Sequence, residues 1–170
     1  MPYIEIVTAE SDHIDIQVRL YRKADAQALA HLYFDSVRNG STRYYSPEQR
    51  EAWARDVPDV TSWAIRLAGT NTFVAVKSNV IAGFMTVDDT GYIDLAFVGS
   101  DFIGQGIGSR LYERVQDEAV LRNLPRLHAQ ASEMAKPFFE KHGWLLVKTQ
   151  TITREQTGLT NHMMEKRLGL

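Results

Sequence analysis

Between residues 101 and 119 the chain reads DFIGQGIGSRLYERVQDEA, with Gly104, Gly106 and Gly108 at alternate positions ahead of an amphipathic run. Glycine weakens a helix that must hold it, so three of them at a helix start call for a reason. The reason offered by physics is access. The first turn of a helix leaves its N–H groups unpaired, and the aligned peptide dipoles make that end positive. Without Cβ atoms an anion can reach those groups, and glycine accepts the dihedrals that aim several amides at one point. Phosphate is the usual occupant. A plainer alternative is that the glycines only permit tight packing of a strand against a helix. Two phosphate loops fail on the letters. No Gly-Lys-Ser/Thr occurs, and the dinucleotide fingerprint needs Gly or Ala at position 109, which holds Ser109.

The rest of the chain can be arranged around that loop. HIDIQVRLYRKAD alternates Ile14, Ile16, Val18 and Leu20 with polar residues, the pattern of a half-buried strand. A helix opened by Asp25 carries Leu29, Leu32, Tyr33 and Val37 and stops at Asn39-Gly40. SPEQ starts a short helix with Ser46 as N-cap, Pro47 in the first position and Gln49 closing a capping box; this helix carries Trp53 and ends before Pro58. A third helix is expected over 62–68. Strands follow at 72–77, 80–88 and 92–98, the first two joined at Ser78-Asn79. The helix after the glycines turns Ile107, Leu111, Val115 and Ala119 inward, with Arg110, Glu113, Arg114 and Asp117 outside. RLHAQA is a further strand, EMAKPFFEKH a late helix closed by Gly143, and WLLVKTQTIT with LTNHMMEKRL a final strand pair. The expected fold is α/β of the α+β type: a mixed, mostly antiparallel twisted sheet of about seven strands flanked by helices. One domain is expected over 1–170, with residues 1–13 as an N-terminal extension.

Composition narrows the function. The 170 residues carry a formal net charge of -2, which gives no support to a nucleic-acid partner. There is no cysteine, so disulfides, thiolate nucleophiles and cysteine metal sites are excluded. The five histidines are scattered without ligand spacing, so no metal site is expected. No apolar run reaches the ~20 residues of a membrane span and no signal peptide is evident, which points to a cytoplasmic protein without a membrane partner.

LAFVGSDFIGQGIGSRLYERV resembles the acetyl-CoA signature of the GCN5-related N-acetyltransferases (GNAT), Gln/Arg-x-x-Gly-x-Gly/Ala. Gly106 and Gly108 take the two small positions, and Ile103 stands where Gln or Arg is usual. ASEMAKPFFEKHGWLLV resembles the family's second motif, with Ser132, Ala135, Phe138, Phe139, Glu140, Lys141, Gly143 and Trp144 in place. YYSPEQREAWA is similar to an N-terminal element of a small bacterial subgroup. The resemblance implies the acyl-CoA N-acyltransferase fold, acetyl-CoA as cofactor, and transfer of acetyl to a primary amine by direct attack in a ternary complex. The amine would belong to a small molecule, a peptide or a protein, and the enzyme would be a monomer or a homodimer.

The residues implied to hold the cofactor are Phe97 and Val98, whose strand is splayed from its neighbour so that the cofactor pairs with it; Ile103, Gly104, Gln105, Gly106, Ile107, Gly108 and Ser109 around the pyrophosphate; and Ser132, Phe138, Phe139 and Lys141. Arg110 is a further candidate for a phosphate contact. Asp94 lies within an otherwise apolar strand, where burial would raise its pKa and suit it to act as base; a structural Asp bonding a loop is the other reading. The family's thiolate-protonating Tyr falls on Phe139, which has no proton to give, so Tyr44 and Tyr45 stand as candidates for that role or as pocket wall. Trp53 and Trp63 fall in helices that cover the acceptor pocket in the family. The rival class is a CoA-binding sensor or partner-binding module without catalysis, kept open by Phe139 and Ile103.

Overall fold

The computed structural model describes residues 15–169, so Ile14 and the extension over 1–13 lie outside the described residues. β1 (Ile16–Leu20), β2 (Asn71–Lys77) and β3 (Val80–Val87) form an antiparallel meander. Its tight turn is Ser78-Asn79, both with positive φ (49° and 62°), as the twist of a two-residue hairpin demands. Between β1 and β2 come α1 (Ala26–Arg38), α2 (Pro47–Trp53) and α3 (Val60–Ala68). Asp25 sits at the entry to α1, buried and held by Arg19 at 2.7 and 2.9 Å. The Ser46–Gln49 capping box at α2 is complete, with Ser46 Oγ accepting the Gln49 N–H and Gln49 Oε1 accepting the Ser46 N–H. α3 starts earlier than expected because Asp59 caps it, accepting the Ser62 N–H at 2.9 Å.

The expected strand over 92–98 is two strands. β4 (Tyr92–Ile93) pairs in parallel with β6 (Arg126–Ser132), while β5 (Ala96–Val98) pairs antiparallel with β3. The break falls at Asp94-Leu95, where Thr86 Oγ1 accepts the Leu95 N–H at 3.0 Å. This division raises the strand number to eight and separates two four-stranded sheets, ordered β1-β2-β3-β5 and β4-β6-β8-β7. α4 (Ile107–Leu121) follows β5, and α5 (Lys136–Lys141) follows β6. The long hairpin β7 (Leu145–Arg154) and β8 (Thr157–Arg167) completes the second sheet. β4–β6 is the parallel pair among otherwise antiparallel neighbours.

Strand alternation gives the first sheet two buried faces. Phe73 and Met85 pack under α4 with Ile107, Leu111, Tyr112 and Val115. Val74 and Phe84 face the other way, onto Leu29, Leu32, Trp63 and Leu67 of α1 and α3. The α4 face expected from its periodicity is fully buried, and Tyr112 adds a hydroxyl that accepts the Trp144 Nε1–H at 2.8 Å. Both ends of β5 are thereby fixed, one sheet edge below it and a helix start just beyond it.

Candidate active site

The segment after β5 tightens into a short turn over Ser100–Phe102, anchored where Asp35 Oδ2 accepts the Ser100 N–H at 3.0 Å. Gly104 and Gly106 then take φ of +80° and +83°, in the left-handed region where side chains are disfavoured. Gly106 is the N-cap of α4, so the amides of the next residues open into space with no helical partner. Gly108 serves a different purpose: a Cβ there would stand 3.2 Å from Phe138 Cε2. No acidic residue occupies the first turn of α4, which leaves its positive end unopposed.

These amides face a cleft of about 370 Å³ between β5 and the β6–α5 segment. One wall is β5. Gly99 donates to Ala82 O at 2.9 Å and Thr86 to Leu95 O at 2.9 Å, which sets the phase of the β3–β5 ladder. Phe97 therefore bonds Phe84, and the backbone groups of Ala96 and Val98 project to the open edge. Val98 O on that edge accepts Ser36 Oγ–H from α1 at 2.7 Å. The opposite wall carries Ser132, Met134, Ala135, Phe138 and Lys141. Ser132 Oγ accepts the Ala135 N–H at 3.1 Å and so shapes the turn into α5.

A second cleft, about 410 Å³, shares Trp53 with the first as a bordering residue. Tyr33 and Trp63 supply its other aromatic walls, and Arg55, Asp56, Asp59 and Arg66 its polar ones. The Tyr33 ring meets Phe97 edge-on at 4.9 Å and Trp63 at 5.1 Å. Burial pushes the Tyr33 hydroxyl above its ordinary range, outweighing the opposing pull of Arg154 and Arg66.

Residues 41–168 match the acetyltransferase (GNAT) domain family. The chain is 31% identical over 150 residues to the uncharacterised N-acetyltransferase YafP of Escherichia coli K12, covering 88% of this chain and 95% of that protein. The chain belongs to the GNAT acetyltransferases. Among solved structures, a GCN5-related N-acetyltransferase from Rhodopseudomonas palustris superposes with a TM-score of 0.85 at 30% identity, covering 91% of this chain and 96% of that one. The PaiA N-acetyltransferase of Thermoplasma acidophilum, solved with coenzyme A, shares the fold at a TM-score of 0.75 and 14% identity, over 91% of this chain and 100% of its own. As a GNAT member the chain is an acetyl-CoA-dependent N-acetyltransferase.

Of the residues that the GNAT resemblance nominates, Phe97, Val98, Ile103, Gly104, Gly106, Ile107, Gly108, Ser109, Ser132, Phe138 and Lys141 all border the first cleft. Gln105 does not: its side chain accepts from Lys77 Nζ at 2.8 Å and donates to Asp101 O at 2.9 Å. Arg110 is engaged with Glu113 at 3.2 Å. Phe139 is turned into the core, 2% exposed and 4.4 Å from the Trp144 ring, because α5 presents Phe138 to the cleft instead. The premise for Asp94 is overturned. It lies at the break between β4 and β5, its side chain 41% exposed and paired with Arg66 at 2.5 Å rather than buried within a strand. Tyr45 is buried with its hydroxyl engaged on both sides, accepting the Glu133 N–H at 2.8 Å and donating to Thr160 O at 3.3 Å. Burial pushes its pKa up. Tyr44 is exposed. Ser36 and Met85 border the cleft without having been nominated; neither carries a local signal, since each arrives there only through the packing of α1 and β3.

Proposed function

We propose that acetyl transfer proceeds by direct attack of a primary amine, with the open edge of β5 and the start of α4 as one continuous binding surface for acetyl-CoA. The observation that carries this reading is the strand break at Asp94-Leu95, which frees the Ala96 and Val98 amides onto the same cleft that receives the N-terminus of α4. The fit is specific: the Gly104–Gly106 turn exposes amides, and bare Gly108 admits the Phe138 ring beside them.

In this reading the cofactor supplies the activated acetyl group as a thioester. The amides at the start of α4 hold the pyrophosphate, favoured by the helix dipole. The Val98 N–H polarises the acetyl carbonyl, a role the ladder phase denies to Phe97. Ser36 fixes that stretch of β5 by bonding Val98 O. Trp53 stands between the cofactor cleft and the second cleft, so an amine entering from the second arrives beside β5. The absence of cysteine removes the commonest covalent alternative, an acyl-thiol enzyme. With Asp94 held by Arg66 at the rim and Phe139 turned inward, the amine proton leaves to water and the thiolate departs without a side-chain acid.

Initial-rate kinetics of CoA thiol release, varied in both substrates and run with a panel of amines and with none, test this. Amine-dependent release with intersecting double-reciprocal lines, and N-acetylated product by mass, is expected. Parallel lines, or release that ignores the amine, would overturn direct transfer.

A further inference from the structure

We propose that the second cleft selects an arylalkyl monoamine, a flat aromatic body with one primary amine and no carboxylate. The inference rests on the acetyl-transfer reading and names its acceptor.

The first argument is the walls. Tyr33, Trp53 and Trp63 line the cleft, and Phe97 touches two of these rings, with Tyr33 at 4.9 Å and Trp53 at 6.3 Å between centroids. The rings are inclined to one another rather than stacked shut: 43° between Tyr33 and Trp63, 58° between Trp53 and Phe97. Surfaces of this kind reward a flat guest that meets one ring face-on and another by its edge. A space of about 410 Å³ suits a one- or two-ring molecule.

The second argument is charge, and it separates the candidate amines. The cleft borders two acids, Asp56 and Asp59, against two cations, Arg55 and Arg66. Asp59 is used as the cap of α3, accepting the Ser62 N–H and Oγ–H, both at 2.9 Å. Arg66 is held by Asp94, and Arg55 reaches Glu155 at 3.5 Å. Asp56 is then the one carboxylate of the wall with no hydrogen-bond or ion-pair partner among the described residues. One uncommitted carboxylate matches one ammonium. A polyamine would need several such groups to replace its lost hydration. An amino acid would need a free cation for its carboxylate; both arginines of the wall are already engaged, and Arg154, which approaches from the end of β7, is turned to the Tyr33 hydroxyl. What remains uncommitted is aromatic surface and a single negative charge.

The test uses the full chain with 2-phenylethylamine, tryptamine, n-hexylamine, spermidine and phenylalanine as acceptors. Two or three well-placed ring contacts make the two arylalkylamines better in kcat/KM than n-hexylamine by about tenfold or more. Spermidine and phenylalanine are expected to fall further behind. Calorimetry of 2-phenylethylamine and n-hexylamine on the CoA-saturated protein reads the same preference with no turnover. Tyr33→Leu should bring the arylalkyl-to-hexyl ratio towards one, and the wild-type binding ratio decides the matter should that variant fold poorly. Equal binding of the two amines, or faster turnover of spermidine or phenylalanine, overturns the proposal. Preferential binding of 2-phenylethylamine without thiol release from any amine would instead remove the transfer reading and leave the pocket's selectivity standing.

Discussion

The two clefts that meet at Trp53 are built from different materials. The cleft proposed for the cofactor presents main-chain groups: open amides of Ala96 and Val98, the turn at Gly104 and Gly106, and the unpaired start of α4. Apolar side chains such as Ile103 and Ile107 border it as well, and Gly108 is bare so that Phe138 can close in. The cleft proposed for the acceptor draws its walls from three helices, with Tyr33 from α1, Trp53 from α2, and Trp63 and Arg66 from α3. Its walls stand on an apolar seat of Leu29, Leu67, Val74 and Phe84 that holds the helices to the sheet. A main-chain site resists change, since amides cannot be exchanged by mutation. A side-chain site can be rewritten one residue at a time while the seat beneath it stays intact. The same molecule thus keeps a fixed half and an adjustable half, and perturbations should divide accordingly.

The largest effect is expected where charge is added to the main-chain site. Ser109→Glu places a carboxylate in the first turn of α4, where the dipole favours it by ~0.3–1 kcal/mol. In the proposed binding mode the same carboxylate would stand beside the pyrophosphate, and opposed like charges cost several kcal/mol. Acetyl-CoA affinity should fall by about a hundredfold while the melting temperature holds or rises. Calorimetric titration and thermal unfolding of the one variant read both signs. An unchanged Kd would mean that no anion is held at this helix start.

Next in size is the tie that joins α2's approach to the second sheet. Tyr45→Phe removes a hydroxyl that satisfies the Glu133 N–H and Thr160 O, and a buried donor left unpaired costs ~1–3 kcal/mol. Because burial holds this hydroxyl above its ordinary 10.0, its contribution is fully present below pH 10 and is lost as the pH climbs through the raised value. Denaturant melts of wild type and variant should therefore converge at strongly alkaline pH. Turnover is expected to stay within a few-fold; a hundredfold loss at unchanged stability would restore Tyr45 as the thiolate's proton donor.

Phe139→Tyr sharpens the contrast from the cofactor side. Were the ring at the sulfur, a hydroxyl would help; turned into the core against Trp144, it has to be buried instead. A loss of ~1–2 kcal/mol in stability with no gain in turnover is the expected result. A rise in turnover without destabilisation would place the ring in the cleft.

What could be read from the letters follows the same division. The glycine loop was legible because its backbone imposes a residue type: Gly104 and Gly106 have positive φ and Gly108 must leave room for Phe138. The Ser46–Gln49 box and the Ser78-Asn79 turn were legible for the same reason: local backbone geometry chose the residues. The strand break was not. YIDLAFV has the apolar content of one continuous strand, and the division at Asp94-Leu95 is made by β6 drawing Tyr92 and Ile93 into a second sheet while β3 keeps Ala96 to Val98. That is a tertiary contest with no local mark. Asp94 was misjudged through the same error, since an acid within a buried strand is desolvated whereas an acid at a break is wet. Phe139 was placed at the cofactor along with Phe138 because a six-residue helix carries too little periodicity to say which ring faces out.

Asp94→Asn should give the smallest effect, and it bears most directly on the acceptor half. A buried, uncommitted carboxylate acting as general base would cost ~10²–10⁴ in rate on removal. The carboxylate found here is solvated and already shared with Arg66, at 3.1 Å from Nε and 2.5 Å from Nη2. An exposed pair of this kind contributes ~0–1 kcal/mol to stability, so the melting temperature should scarcely move. Asparagine can still accept from Arg66 through its carbonyl oxygen, which keeps the guanidinium near the rim of the second cleft. Turnover should therefore stay within a few-fold of wild type. The acidic limb of the pH–rate profile should keep its position, because no side chain that defines it has been removed. The informative comparison is with Arg66→Gln, which would leave Asp94 free at the mouth of the cleft and add a second uncommitted carboxylate to its surroundings. That variant should admit spermidine better than wild type does, and the double variant should lose the gain. If instead Asp94→Asn alone costs a hundredfold and shifts the acidic limb, the carboxylate is the base, and its pairing with Arg66 must break when the amine arrives.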